Sequence, residues 1–366
     1  MRILSRYILR EYLIPLCYTL GGFVAIYVLF ELFGSFGRLS ESGLDFVNIV
    51  KYFAAYLAPY FHYIAPAALM LAALYTMWSF CRHSELIAMR ANGISFIAIA
   101  APILFVACVM TGFVYYVNEC YVPEHAQWAN QLKTMRFDLN KLAERDNIIF
   151  RNATECRTWM VDGLADSDGY VLKGVKVAID RPMGGARKMT IVADKAEYLD
   201  GEWWFTNPKV QHYDVSGSEI ATPTPELDAM KFRTFDGISE RPMDFILQNR
   251  PWQYNSTAAR IHMLNTRKDI SPTQRDGYLY DTLSMLLSPI ACILITLIAI
   301  PAGIATGRQS VFKGVLGALG LYFAYYGMII AGMVFANLGW LWPAPAAILP
   351  HVVFLGIGIR TFWIHR

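Results

Sequence analysis

The sequence predicts an α-helical membrane protein with six transmembrane helices, three on either side of an inserted antiparallel β-domain. Composition is the first observation behind this. Of 366 residues, 55% are hydrophobic and only 17% charged, against roughly 25% charged in soluble domains. The second is that apolar runs long enough to cross a bilayer, about 20 residues, cluster toward both ends of the chain. The third is a change of character between them, where charges return and apolar residues alternate with polar ones.

The apolar runs are Tyr12–Phe36, Tyr52–Phe80, Ile94–Val117, Leu283–Ala305, Val315–Ala336 and Ala344–Phe362. The first follows Arg2, Arg6 and Arg10, as a signal peptide would. It outlasts the roughly 7–15 apolar residues of such a peptide, and no small-x-small cleavage site follows, so it reads as a retained anchor. Ile3, Leu4, Tyr7, Ile8 and Tyr12 take one flank of the leading segment and the three arginines another, the pattern of an amphipathic interfacial helix. The domain boundaries are therefore 1–117, 118–280 and 281–366.

Lysine and arginine in short flanking loops set the orientation. One side carries Arg2, Arg6, Arg10, Arg82, Arg90, Arg308, Lys313, Arg360 and Arg366; the other has Arg38 and Lys51. Both termini and the 82–95 connector are thus expected in the cytoplasm, with the insertion outside, in a bacterium the periplasm.

Within the insertion, KGVKVAID places Val175, Val177 and Ile179 on one strand face and Lys176 and Asp180 on the other. RTWMVDG, KMTIVADKAEYL and EWWFTNPKVQHYD read similarly, bounded by turn residues. Short strands at this spacing predict an antiparallel sandwich or jelly roll. Ser256 is placed to cap a helix over Thr257–Arg267. Cys120 and Cys156 share the outer compartment, which leaves a disulfide open.

No G-x-x-x-x-G-K-[ST], G-x-S-x-G or H-E-x-x-H occurs, and no Cys/His cluster suggests a metal. No catalytic residue is therefore assigned, and the chain needs an external energy source for any active process. Intramembrane ionisable residues are few: Glu31, His62 and His351. The histidines read as bundle-facing groups bonded to neighbours such as Tyr60 and Tyr63 rather than as proton relays. Spans this poor in charge suit an apolar cargo better than an ion. Pro59, Pro66, Pro289 and Pro301 can kink their helices. Gly303 with Gly307, and Gly314, Gly317 and Gly320, permit close helix contact.

The connector RHSELIAMRANGIS concentrates charge between two apolar runs. Ser84 is placed as an N-cap, Glu85 in the first turn, Arg90 toward the last and Gly93 at the left-handed C′ position. Leu86, Met89 and Gly93 share one face, and Ile87, Ala91 and Ile94 a neighbouring one. This spacing fits either an interfacial linker or a peg that docks a cytoplasmic partner.

SELIAMRANGIS closely resembles a segment of the lipopolysaccharide-export permease family, whose two paralogues are LptF and LptG. RYILREYLIP, IVADKAEYLDGEWWFTNPKVQHY and LSPIACILITLIAIPAGI are similar to the family's pattern too, in order along nearly the whole chain. The resemblance implies an inner-membrane permease that pairs with a homologous permease on a dimeric cytoplasmic ABC ATPase. ATP and Mg would belong to that ATPase, and this chain would bind no cofactor. The pair would extract lipopolysaccharide from the membrane and pass it to a periplasmic jelly-roll bridge protein with a single membrane anchor; no nucleic acid is involved.

Residues 83–93 would be the family's coupling helix, with Glu85 meeting a basic residue of the ATPase and Leu86, Met89 and Arg90 completing the interface. The first and fifth spans would line a lateral lipid gate, at Tyr27, Phe30, Glu31, Phe33, Arg38, Tyr322 and Tyr326. Trp159, Trp204 and Phe205 would face a lipid groove in the jelly roll, although core packing explains them equally. One departure is that FELFGSFGRLSESGLD offers Arg38 alone where one paralogue has several basic residues. A permease of this architecture for another amphiphile, lipoprotein or glycolipid, and a membrane-anchored binding scaffold are the alternatives.

Overall fold

The computed structural model describes residues 2–364 except 136, 138–147, 153–154, 165–168, 182–186, 221–230, 249, 267–269 and 306–310. Arg267, Gly307, Arg308 and Arg366, singled out in the sequence, lie outside the described residues. The chain divides into two compact units: Met1–Ala129 with Ser271–Arg366, and Asn130–Ile270.

Among the described residues, six helices are long and apolar enough to cross a membrane: Ile3–Glu41, Phe46–Arg82, Phe96–Thr134, Pro272–Ile304, Val315–Asn337 and Pro343–Ile364. The amphipathic N-terminal segment is not a separate element, because one unbroken helix runs from Arg2 to Glu41. The third helix continues past Val117 through a π turn, Val117–Tyr121, into Val122–Thr134. Backbone hydrogen bonding carries a helix beyond the residues that lipid must cover, so the apolar run understates its length.

Prolines shape the bundle in two ways. Pro59 and Pro289 sit in single 3₁₀ turns, Ala58–Tyr60 and Ser288–Ile290, that break the second and fourth spans. Pro15, Pro66 and Pro301 stay within α-helices. Each proline deprives the carbonyl four residues earlier of its N–H donor, and lipid offers no replacement. Hydroxyls answer at three of these places. Thr76 Oγ1 donates to the Glu11 carbonyl at 3.2 Å, behind Pro15. Tyr326 Oη donates to the His62 carbonyl at 3.0 Å, behind Pro66. Ser288 Oγ donates to the Met285 carbonyl at 2.9 Å, behind Pro289.

The second and fourth spans form the centre of this unit, with Ala65, Ala68, Ala72 and Met77 packed in one core with Ile295, Ile298 and Ala299. Gly303 makes the approach possible: a Cβ there would lie 2.8 Å from Met77 Cβ and 2.9 Å from the Leu74 carbonyl oxygen. Such close backbone contact is what small residues provide in membranes. Gly317 and Gly320 do not serve this purpose within the chain, since among the described residues a Cβ at either would meet nothing within 4 Å. Of the most apolar window of each span, 61% is buried in the second but 6% in the first and 17% in the fifth. His351 is buried and tied down, with Nε2 3.0 Å from Tyr325 Oη and Nδ1 3.1 Å from the Ala347 carbonyl.

The second unit is an antiparallel sheet inserted between the third and fourth spans, as the sequence predicts. Its strands are β1 (Ile148–Asn152), β2 (Arg157–Leu164), β3 (Val171–Asp180), β4 (Arg187–Leu199), β5 (Glu202–Thr206), β6 (Lys209–Tyr213), β7 (Glu219–Ile220) and β8 (Phe232–Thr234). β1 to β5 pair in sequence order, and β8 adds beside β5. The long β4 splits its free edge, pairing with β6 through Met189–Val192 and with β5 through Lys195–Leu199. Val175 and Val177 are buried and Lys176 exposed, as their alternation dictates.

The helix Pro242–Gln248 covers the apolar face, placing Phe245 against Phe150, Trp159 and Trp203 at 4.8, 5.0 and 5.5 Å between ring centroids. Leu247 of the same helix packs on Ala259 and Met263 of Thr257–Thr266, whose start Ser256 caps by accepting the Ala259 N–H at 3.3 Å. A buried ion pair fastens the segment before it: Arg157 Nε donates to Glu240 Oε1 at 2.8 Å, and Asn152 Nδ2 to the same oxygen at 2.9 Å. Trp203 Nε1 donates to the Glu240 carbonyl at 2.7 Å.

Candidate functional site

The connector between the second and third spans folds into a short helix, Glu85–Ala91. Ser84 does not cap it through its side chain. Its backbone is left-handed, φ 61°, because the chain must reverse sharply out of the second span, and the capping geometry requires an extended residue there. Its carbonyl still begins the helix, accepting the Ala88 N–H at 3.0 Å. The far end is a Schellman motif: Ile94 N–H to the Met89 carbonyl at 3.2 Å and Gly93 N–H to the Arg90 carbonyl at 3.0 Å. Gly93 takes the φ of 80° that this closure needs. Ser95 supplies a true cap for the next helix, accepting the Ala98 N–H.

Leu86 and Met89 point inward, buried in the core that also holds Ile8, Tyr12 and Phe80. They anchor the helix to the core of its own chain, 5% and 8% exposed. The surface left outward carries Ile87, Ala88, Arg90 and Ala91. Glu85 is half-buried, and its Oε2 accepts a hydrogen bond from Tyr7 Oη at 2.8 Å, across 78 positions of sequence. The Tyr7 ring stacks on Phe80, 6.1 Å between centroids at 28°. Nothing in the sequence signals this pairing beyond the place of Tyr7 on the apolar flank of the leading segment.

At the other end of the first helix, Glu31 is 6% exposed. Its Oε1 accepts from Ser35 Oγ and from Tyr52 Oη, each at 2.8 Å, so this carboxylate faces into the chain. Tyr27 packs beside it on Tyr56 and Tyr60, at 6.1 and 5.1 Å between centroids. Phe30 and Phe33 turn the opposite way, 81% and 82% exposed. Arg38 is exposed, its guanidinium 3.4 Å from the Gly34 carbonyl of its own helix.

On the fifth span, Tyr326 bonds the His62 carbonyl and Tyr322 Oη donates to the Tyr63 carbonyl at 2.9 Å. Both hydroxyls therefore brace the fifth span on the second. In the sheet, Trp159 and Phe205 are fully buried, 5.9 Å apart between centroids. Trp204 is on the other face, stacked on Phe232 at 4.9 Å, because neighbours in a strand point to opposite sides. The residue sharing the aromatic core with Trp159 and Phe205 is Trp203. Among the described residues, no group of three or more His, Cys, Asp or Glu converges to hold a metal ion.

A family model described as the lipopolysaccharide export system permease LptF/LptG matches residues 6–364. No curated protein matches the chain. A match of that length takes in all six membrane helices, the short connecting helix and the inserted sheet together. The chain belongs to the lipopolysaccharide export system permease LptF/LptG family, and is a multi-pass inner-membrane transport subunit and not an enzyme.

Proposed function

We propose that this chain is one permease of an ATP-driven lipopolysaccharide exporter, paired with a homologous permease on a cytoplasmic ABC ATPase dimer. ATP and Mg are bound by that ATPase. Both termini and the helix Glu85–Ala91 face the cytoplasm, and the sheet unit faces the periplasm. There it hands lipopolysaccharide to a jelly-roll bridge protein with a single membrane anchor.

The observation that carries this reading is the connecting helix. It is closed at its end by a Schellman motif and anchored beneath by Leu86 and Met89. Its outward surface holds one carboxylate, Glu85, and one guanidinium, Arg90, beside Ile87 and two alanines. A rigid small-residue ridge with charges at its ends suits insertion into a groove with a basic rim. Ile87, Ala88 and Ala91 take the contact positions that Leu86 and Met89 vacate.

The exposed faces of the first and fifth spans supply the rest. Phe30, Phe33 and Phe323 offer apolar surface to acyl chains or to the partner permease, and Arg38 offers a cation to a lipid phosphate. In the sheet, Phe245 occupies the aromatic core around Trp159 and Phe205, so lipid passage there requires the helix Pro242–Gln248 to give way.

Glu85→Ala tests the docking role. Membrane insertion and bundle stability should be retained, and ATPase co-purification should fall about tenfold, as for loss of a charge-assisted contact. Wild-type recovery of the ATPase with unchanged transport would refute it.

A further inference from the structure

One link in the bundle is unaccounted for by docking or by gating alone. Tyr7 and Glu85 belong to different elements, and their side-chain hydrogen bond joins the first helix to the connecting helix. The Tyr7 ring is seated on Phe80, two residues before the end of Phe61–Arg82, so the hydroxyl is held in place and not merely within reach. The carboxylate keeps Oε1 for a second partner.

The same helix that carries Tyr7 continues without a break to Glu41. Its one internal proline is Pro15, and the carbonyl that Pro15 orphans is held by Thr76 from the second span, so the helix is braced where it would bend. Ile8, Tyr12 and Leu16 pack it into the core. Beyond that, Thr19 Oγ1 donates to the Ala68 carbonyl at 3.2 Å, Tyr27 packs on Tyr56 and Tyr60, and Glu31 bonds Tyr52. Tyr7 and Glu31 are separated by about 36 Å along the axis at 1.5 Å per residue. One rigid element thus touches the proposed ATPase contact at one end and the proposed lipid gate at the other.

We propose that Tyr7 is a positioning residue that makes the first span move with the connecting helix, so that ATPase motion felt at Glu85 reaches the gate through this helix. This rests on the docking role of Glu85 and adds the direction in which its motion travels. It acts through the bond alone: Tyr7 touches neither nucleotide nor lipid. Loss of the hydroxyl should leave docking in place and uncouple hydrolysis from transport.

The test is Tyr7→Phe in the complete complex, reconstituted in proteoliposomes with its ATPase and partner permease. Phenylalanine keeps the stacking on Phe80 and removes only the donor. ATPase co-purification, ATP turnover and melting temperature should stay at wild-type levels. Lipopolysaccharide released per ATP hydrolysed should fall about fivefold, what an ordinary net hydrogen bond of about 1 kcal/mol contributes and less than one to a buried charge, since both side chains are partly exposed. Substitution of Tyr7 by 4-aminophenylalanine, which restores a donor on the same ring, should recover most of the loss. This rescue also decides the matter if Tyr7→Phe proves unstable.

Wild-type release per ATP in Tyr7→Phe overturns the link, as does a fall that the restored donor does not repair. If Glu85→Ala loses the ATPase while Tyr7→Phe transports normally, docking stands and the link alone is wrong. If Glu85→Ala keeps the ATPase, the docking role fails and the link falls with it.

Discussion

Tyr326 and Pro66 are bound into one unit by a carbonyl that neither owns. Pro66, lacking an N–H, cannot donate to the His62 carbonyl four residues before it, and Tyr326 Oη donates there at 3.0 Å. Tyr326→Phe removes the donor with almost no change in volume. An unsatisfied buried polar group costs about 1–3 kcal/mol, whereas interhelical hydrogen bonds in membranes average about 0.6 and reach about 1.7 kcal/mol. The proline has removed the local alternative, so the upper end of the membrane range applies, about 1.5 kcal/mol. Pro66→Ala restores an N–H four residues after His62. In that background, Tyr326→Phe should cost only about 0.5 kcal/mol, a coupling of about 1 kcal/mol. Reversible unfolding in mixed detergent–SDS micelles, followed by circular dichroism, measures all four corners of the cycle. Independent sites add to within about 0.3–0.5 kcal/mol. Additive losses would refute the argument that the tyrosine replaces what the proline took.

Two further outcomes follow from packing. Glu240→Ala takes the buried carboxylate from the Arg157 guanidinium, 6% exposed on its side chain, and leaves it the Gly237 carbonyl, Ser239 and the exposed Glu155. It should therefore destabilise the sheet unit by about 3 kcal/mol, the low end for a broken buried pair. Protease cleavage within residues 130–270 of the membrane-embedded chain reports this; wild-type resistance would contradict it. Gly303→Ala drives a Cβ toward Met77 Cβ and the Leu74 carbonyl oxygen. It should cost about 1–3 kcal/mol by overpacking, read in the same detergent unfolding, while Gly317→Ala, which meets nothing within 4 Å, should be close to neutral.

The six spans and the inserted sheet were legible because both follow from local pattern: unbroken apolar length for helices in lipid, period-2 alternation for half-buried strands. The alternation also held the correction to Trp204, since adjacent Trp203 and Trp204 cannot share a face. The N-cap reading of Ser84 failed for a tertiary reason. Capping residues and left-handed turn residues draw on the same small polar side chains, and the sharp exit from the second span decided between them. Leu86 and Met89 were correctly placed on one face, but spacing does not say whether a face meets the chain's own core or a partner.

The pairs that hold the candidate site together were out of reach, because Tyr7 with Glu85, Glu31 with Tyr52 and Arg157 with Glu240 lie far apart in sequence. The hydroxyl–carbonyl bonds were closer to legible. Each intramembrane proline marks an orphaned carbonyl four residues earlier, and threonine, serine and tyrosine in neighbouring spans are the groups able to answer it.

The most direct measurement of the account is ATP-dependent release of lipopolysaccharide from proteoliposomes containing this chain, its homologous permease and the ABC ATPase, with a purified jelly-roll bridge protein as acceptor. The account expects release that requires ATP and all the subunits, ATP turnover stimulated by lipopolysaccharide, and loss of both stimulation and release with Glu85→Ala. Release of a lipoprotein or other glycolipid in preference to lipopolysaccharide would contradict the substrate. ATP turnover indifferent to lipid and to Glu85→Ala would contradict the mechanism.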